Sequence, residues 1–174
     1  LSKEVGGLIG SIINVSSVIQ NCFSTVNIFR NGGAGGFIGR VVAWDTSIIS
    51  CYASCQMVGS GEKCGFCNEV NSAKILQCYS VISIRGATRA AGFIYTTTDN
   101  SIEECFSSVD IETENGFAGF IHSSNGEVRN SYAEGKIVVT NEDKSALIVG
   151  GGFIGICYKT VESCYSTVQI EMSI

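Results

Sequence analysis

Proline is absent from this chain of 174 residues, and histidine and tryptophan occur once each. Charge is also scarce: charged residues make up 16% of the chain, and the net charge is −5. There is no basic cluster. Nucleic-acid binding needs a concentrated basic face, so that class of partner is excluded. Long apolar runs are missing too. The longest, Ala146 to Cys157, is twelve residues with four glycines, against about 20 for a bilayer-spanning helix, and membrane insertion is not expected. No stretch sustains an apolar period of 3.6, which argues against helices. No signal peptide is visible. The chain opens on Leu1 and ends on Ile174 at the close of a repeat, which reads as a processed chain or a piece of a longer one and says nothing about compartment.

What is present is a repeat. The chain is 45% hydrophobic and carries 21 glycines and nine cysteines. Gly7-Leu8-Ile9, Gly36-Phe37-Ile38, Gly65-Phe66-Cys67, Gly92-Phe93-Ile94, Gly119-Phe120-Ile121 and Gly152-Phe153-Ile154 share one pattern, at steps of 29, 29, 27, 27 and 33 residues. Each is followed by small residue, aromatic, small residue: Cys22-Phe23-Ser24, Cys51-Tyr52-Ala53, Cys78-Tyr79-Ser80, Cys105-Phe106-Ser107, Ser131-Tyr132-Ala133 and Cys164-Tyr165-Ser166. Periods of this length mark solenoids.

The second signature alternates with period two. Cys22, Ser24, Val26 and Ile28 are small or apolar, whereas Thr25 and Asn27 between them are polar, and the other repeats follow suit. This is a strand with one face inward. Another apolar residue recurs three places before the small slot (Ile19, Ile48, Ile75, Ile102, Val128, Val161). Its odd spacing breaks the alternation and predicts a corner. The Gly-Phe-Ile segment is expected to form a further strand, its glycine permitting tight turning or close coil packing.

The expected fold is all-β: a right-handed parallel β-solenoid of about six coils of 27–33 residues, one domain over residues 1–174, with repeats beginning near 6, 35, 64, 91, 118 and 151. Six coils make a rod of roughly 29 Å at the spacing of paired strands. No capping helix is visible at either end, which points to more chain on both sides or to end-to-end association.

The fifth repeat carries a family resemblance in Ala118-Gly119-Phe120-Ile121, Asn125-Gly126, Val128, Asn130-Ser131-Tyr132-Ala133, Gly135 and Ile137, and the sixth opens Gly151-Gly152-Phe153-Ile154-Gly155. This resembles the GLUG motif, a short repeat of bacterial surface and secreted proteins. The resemblance covers almost the whole chain. It implies a non-catalytic repeat, of the kind found in immunoglobulin A-cleaving metallopeptidases and adhesin-like proteins outside their catalytic parts. The motif has no catalytic residue to carry over. The chain departs from it in its many cysteines and in Phe for Leu.

Cys51, Cys55, Cys64 and Cys67 have a spacing that could hold zinc. The repeat points elsewhere, because each cysteine occupies a slot that other coils fill with small or apolar residues, so buried thiols are expected. The ladder Cys22, Cys51, Cys78, Cys105 brings neighbours within the Cα range of a disulfide, but with nine cysteines at least one stays free. No metal and no cofactor is expected.

The candidate contact surface is the ladder of Phe23, Tyr52, Tyr79, Phe106, Tyr132 and Tyr165, a stacking platform for a glycan or a protein, with a purely structural ladder as the alternative. The long fifth interval adds a polar turn, Asn141, Glu142, Asp143 and Lys144, where insertions in solenoids form loops on one face. Asp110 is expected beside Lys136, and Glu112 beside Arg85, as exposed pairs. His122 is expected just after the Gly-Phe-Ile strand, in a Ser/Asn/Gly turn with no patterned acid or cysteine nearby, and no catalytic role is expected of it. Asn14-Val15-Ser16 is a glycosylation sequon, relevant if the chain is secreted in a eukaryote.

These features predict a non-enzymatic structural or adhesive module of a secreted or cell-surface protein, meeting a protein or glycan at a lateral face. One alternative is a fibre subunit that self-associates through its solenoid ends. Another is a carbohydrate-active enzyme on the same fold, with Glu103 or Glu104 as the acids to test.

Overall fold

The computed structural model describes residues 5–141 and 148–172. The chain is an all-β parallel β-solenoid, with the right-handed sense of parallel crossovers. Six rungs are related by five turn-to-turn steps. One sheet stacks the strands Ile9–Ile13, Ile38–Ile49, Cys67–Leu76, Ile94–Glu103, Ile121–Arg129 and Ile154–Cys157. A second stacks Phe23–Phe29, Tyr52–Val58, Tyr79–Ala91, Phe106–Ala118, Tyr132–Val139 and Tyr165–Met172. A short third ladder pairs Ala34–Gly35 with Lys63 and Cys64, then Ala90 and Ala91, Phe117 and Ala118, and Gly150–Gly151. All these pairings are parallel, so each repeat lies directly on the next.

The predicted corner after the recurrent apolar residue is present in every rung. Asn21, Ser50, Gln77, Glu104, Asn130 and Ser163 all have φ between 49° and 55°. The left-handed region costs a non-glycine residue of order 1 kcal/mol, so a sixfold repeat of it means that packing on both sides of the corner dictates the turn. The small slot that follows explains how. The Cys78 thiol donates to the Leu76 carbonyl at 3.3 Å, Cys105 to Glu103 at 3.1 Å, Cys164 to Glu162 at 3.2 Å, and the Ser131 hydroxyl to Arg129 at 2.7 Å. The sulfur also accepts: the amides of Cys51 and Cys78 donate to the sulfurs of Cys78 and Cys105, each at 3.4 Å, and that of Cys105 to Ser131 Oγ at 3.1 Å. The slot therefore holds a small residue that both donates and accepts, as Cys and Ser do. The slot is small, as expected, but it is also a hydrogen-bonding position, which the expectation of a thiol acting as a small buried hydrophobe did not include.

The Gly-Phe pair is a bend and not the start of a strand, which begins at the following Ile or Cys. Phe37 and Ile38 are both fully buried, and two successive inward residues cannot lie on one straight strand. The glycine is required by close approach. A Cβ on Gly92 would lie 1.8 Å from the Gly119 carbonyl oxygen, and on Gly119 2.0 Å from that of Gly152. The serines of the small slots bond this turn from across the core, Ser80 Oγ donating to Gly92 O at 2.7 Å and Ser166 Oγ to Gly152 O at 2.7 Å. The two sequence signatures are thus the two sides of one contact.

The bend turns Phe37, Phe66, Phe93, Phe120 and Phe153 inward as a stacked column with centroids 4.8, 4.6, 4.8 and 4.8 Å apart. Ile48, Ile75, Ile102 and Val128 pack around it from the first sheet. Ile28, Met57, Ile84, Ile111 and Ile137 form a second cluster against the third ladder. In that ladder Lys63 replaces the Ala seen at 34 and 90. It is fully buried, and its ammonium donates to the carbonyls of Gly32 and Ser60, the latter at 2.7 Å.

Candidate functional site

The outward aromatics form a second column. Phe23, Tyr52, Tyr79, Phe106, Tyr132 and Tyr165 stack with centroids 5.2, 5.0, 4.8, 5.1 and 5.0 Å apart and planes within 7° of parallel. The four middle rings are half-buried and the two end rings exposed. The column lies beside the left-handed corner, whose side chains make a polar border: Gln77 Nε2 donates to Glu104 Oε2 at 2.8 Å, and Ser50 Oγ to Gln77 Oε1 at 3.4 Å. Outward positions of the second sheet supply the other border with Thr25, Ser54, Ser108, Glu134 and Thr167, interrupted by the exposed Val81. A flat stripe of six rings between polar borders is a surface on which sugar rings or partner side chains can stack.

Asn141 donates through its carboxamide to Asn115 Oδ1. Glu142, Asp143 and Lys144 lie outside the described residues. Asp110 stands in register with Lys136, but its ion partner is Arg85, one rung back on the other side, and Lys136 instead reaches Glu171 at 2.8 Å. The reason is reach: Arg85 also donates to the Asp110 backbone carbonyl at 2.8 Å, which commits the guanidinium there and displaces the expected pairing with Glu112. Glu103 accepts from Asn130 Nδ2 at 3.4 Å.

All nine cysteines are free thiols, and only Cys157 is exposed. The hydrogen bond with Cys105, and then burial, push the Cys78 thiol up to about 12, and burial pushes Cys55 up to about 12. Burial also drives Cys64 and Cys67 well above the ordinary thiol range. Such thiols stay protonated at neutral pH and are poor nucleophiles. Among the described residues, no group of three or more His, Cys, Asp or Glu is placed to hold a metal ion.

Two features have no counterpart in the sequence reading. Trp44 is 74% exposed beside the Asp45 turn, and its carbonyl accepts from the Ser16 hydroxyl of the first rung at 3.1 Å. The other feature is a groove outside the Gly-Phe bend. One wall is the register column Glu62, Arg89, Gly116 and Val149, and the opposite wall is the residue after the motif's Ile: Tyr95, His122 and Gly155 in successive rungs. His122, expected in a turn, instead lies in the strand Ile121–Arg129, stacks on Tyr95 at 4.9 Å and is only 8% exposed. Burial, and then the Arg89 charge, lower its pKa, so it is held neutral. Arg89 reaches Glu62 at 3.6 Å and the Tyr95 hydroxyl at 3.5 Å. The signal in the sequence was a large polar residue in a column that is glycine at Gly10, Gly39 and Gly155.

No family model, curated protein or solved structure matches the chain.

Proposed function

We propose that the chain is a non-enzymatic structural and adhesive module of a secreted or cell-surface protein, a stiff scaffold that offers its lateral faces to a protein or glycan. The observation that carries this reading is the half-exposed column of six parallel aromatic rings running the length of the solenoid. Rungs joined through two sheets, two ring columns and a thiol ladder form a body that resists bending. Several carboxylates outside it, Asp110, Glu104 and Glu171 among them, are engaged by cations or amides, which suits a surface better than a hydrolytic centre. The repeat's resemblance to GLUG sequences favours the same class. The test is an array of glycans and polysaccharides, each scored for binding and for cleavage. Binding that weakens on replacing Tyr79 and Phe106 by Ala supports the reading. Cleavage lost on Glu103→Gln or Glu104→Gln would overturn it.

A second reading is a fibre subunit. The first described rung leaves Leu8, Ile13, Val18 and Phe23 exposed, and the last leaves Tyr158, Tyr165, Ile170 and Met172 exposed. Continuing the register from one copy to the next sets Cys164 on Cys22, Tyr165 on Phe23 and Ile170 on Ile28, like on like. Negative-stain electron microscopy over a concentration series, with and without reductant, separates the readings: filaments one solenoid wide support the fibre, and short rods at every concentration exclude it.

A further inference from the structure

We propose that the groove between Arg89 and His122 binds a hydroxylated carboxylate of the uronic-acid class. The inference rests on the reading of the solenoid as a contact surface only in placing a ligand on its side.

His122 Nε2 is buried and has no hydrogen-bond partner among the described residues. A buried polar atom left unpaired is costly, and native structures rarely carry one without a reason. Nε2 faces the place where residue 116 would hold its side chain: a Cβ there would lie 2.4 Å from Nε2. Residue 116 is glycine, so the edge of the imidazole can lie against its backbone at the margin of the groove. In the next rung the column after the motif is also glycine, Gly155, which leaves the far face of the imidazole without the ring that Tyr95 supplies on the near face. Beside this contact lies a cavity of about 560 Å³ lined by Arg89, Tyr95, Asn115, His122, Val149 and Ile156.

The lining selects the ligand. Arg89 supplies a guanidinium whose contacts to Glu62 and Tyr95 are both long, 3.6 and 3.5 Å, so most of its five N–H groups remain for a carboxylate. Neutral His122 offers Nε2 as donor or acceptor according to its tautomer, and either suits a hydroxyl or a carboxylate oxygen. Thr96 and Ser123 add hydroxyls. Val149 and Ile156 add an apolar flank for the C–H face of a sugar ring. Glu62, one rung away, disfavours a second negative charge and argues against a phosphate.

The test uses the whole chain and its sole histidine, whose imidazole gives a single, self-assigned pair of 15N signals. The probes are D-glucuronate, D-glucose and acetate. Glucuronate should move the imidazole signals and bind measurably by calorimetry, while glucose and acetate bind at least tenfold more weakly. Arg89→Gln, half-exposed and tolerable to the fold, should weaken glucuronate tenfold or more, the loss expected of a charge-assisted pair. Gly116→Ala should block the site while circular dichroism stays unchanged. The proposal is overturned if glucuronate leaves the imidazole signals unmoved, if glucose or acetate binds as well, or if Arg89→Gln binds like the parent. Because rods without glucuronate affinity would still be scaffolds, this failure is distinct from failure of the scaffold reading.

Discussion

The backbone N–H of Cys78 donates to the sulfur of Cys105, one rung away, at 3.4 Å. Cys78 repeats the relationship from the other side: its sulfur accepts from the Cys51 amide at 3.4 Å and its thiol donates to the Leu76 carbonyl at 3.3 Å. Serine makes the same bonds at position 131. Cys78→Ser should therefore cost less than Cys78→Val, although Val is the closer match in hydrophobicity. Val strands the buried Cys51 amide, for about 1–3 kcal/mol. Urea unfolding of the two variants decides it, and equal midpoints would mean that the slot is merely apolar.

That ladder marks the line between what the sequence disclosed and what it did not. Strand alternation, the register of Tyr132 on Tyr165 and the corner at Asn130 were legible, because in a parallel solenoid the repeat itself is the register. The bend at Gly-Phe was not. Phe37 and Ile38 both point inward, and a period-two reading has no place for two adjacent buried residues. The aromatic column was legible from spacing alone. The groove was not, because its walls come from Arg89 and His122, which no periodicity links, and because Gly116 acts by letting the imidazole approach its backbone, which no pattern of side chains displays. Cys as a hydrogen-bonding slot was hidden by its resemblance to a small hydrophobe, although Ser131 in the same column was the clue.

Glycine content has two separable causes, which a pair of substitutions tells apart. Gly86 has φ +70° and nothing within 4 Å of where a Cβ would stand, so Gly86→Ala costs only the backbone strain, about 1 kcal/mol. Gly92 lies against the Gly119 carbonyl, where backbone must move, and the rungs on both sides move with it. Gly92→Ala should cost several times more than Gly86→Ala, roughly the scale of severe core overpacking. Thermal unfolding by circular dichroism gives the ratio, and similar losses would refute the close-approach explanation.

The two ring columns should differ in energy. Phe93 is fully buried between Phe66 and Phe120, and Phe93→Ala should destabilise by about 3–5 kcal/mol. Phe106 is stacked as closely on Tyr79, at 4.8 Å, yet is half-buried, and its truncation should cost less than half as much. Chemical denaturation measures both. A cost for Phe106 equal to that for Phe93 would assign the outer column to structure and weaken its use as a contact surface.

Stability should fall with pH below the ordinary histidine range, through His122. Burial and then the Arg89 charge lower the folded-state pKa, with Glu62 opposing, whereas the unfolded imidazole titrates near 6.5. As pH falls below about 6.5 the unfolded chain takes up a proton before the folded one does, so stability declines between that value and the lower folded pKa. Tyr95, stacked on the ring and raised in pKa by burial, stays neutral throughout this range. His122→Gln removes the contribution, so the loss in melting temperature from pH 7.5 to 5.5 should be smaller in the variant. An identical loss in both proteins would mean that the imidazole is solvated.

The fibre reading has its own discriminating substitution. Ile137 is fully buried because Ile170 of the last rung covers it, whereas Ile170 is 41% exposed because no described rung covers it in turn. A lysine at 170 can extend past the last rung into water in a single rod, but stacking a second copy would bury its charge against Ile28, an expensive step without a partner. Ile170→Lys should therefore abolish filaments and leave the circular dichroism of the rod unchanged. Gln169→Lys, at the neighbouring outward position, should leave filaments intact. If both variants polymerise like the parent, growth does not run through the solenoid ends. If the parent forms no filaments at any concentration, the open ends belong to a scaffold whose contacts are lateral, and the aromatic column becomes the surface to probe.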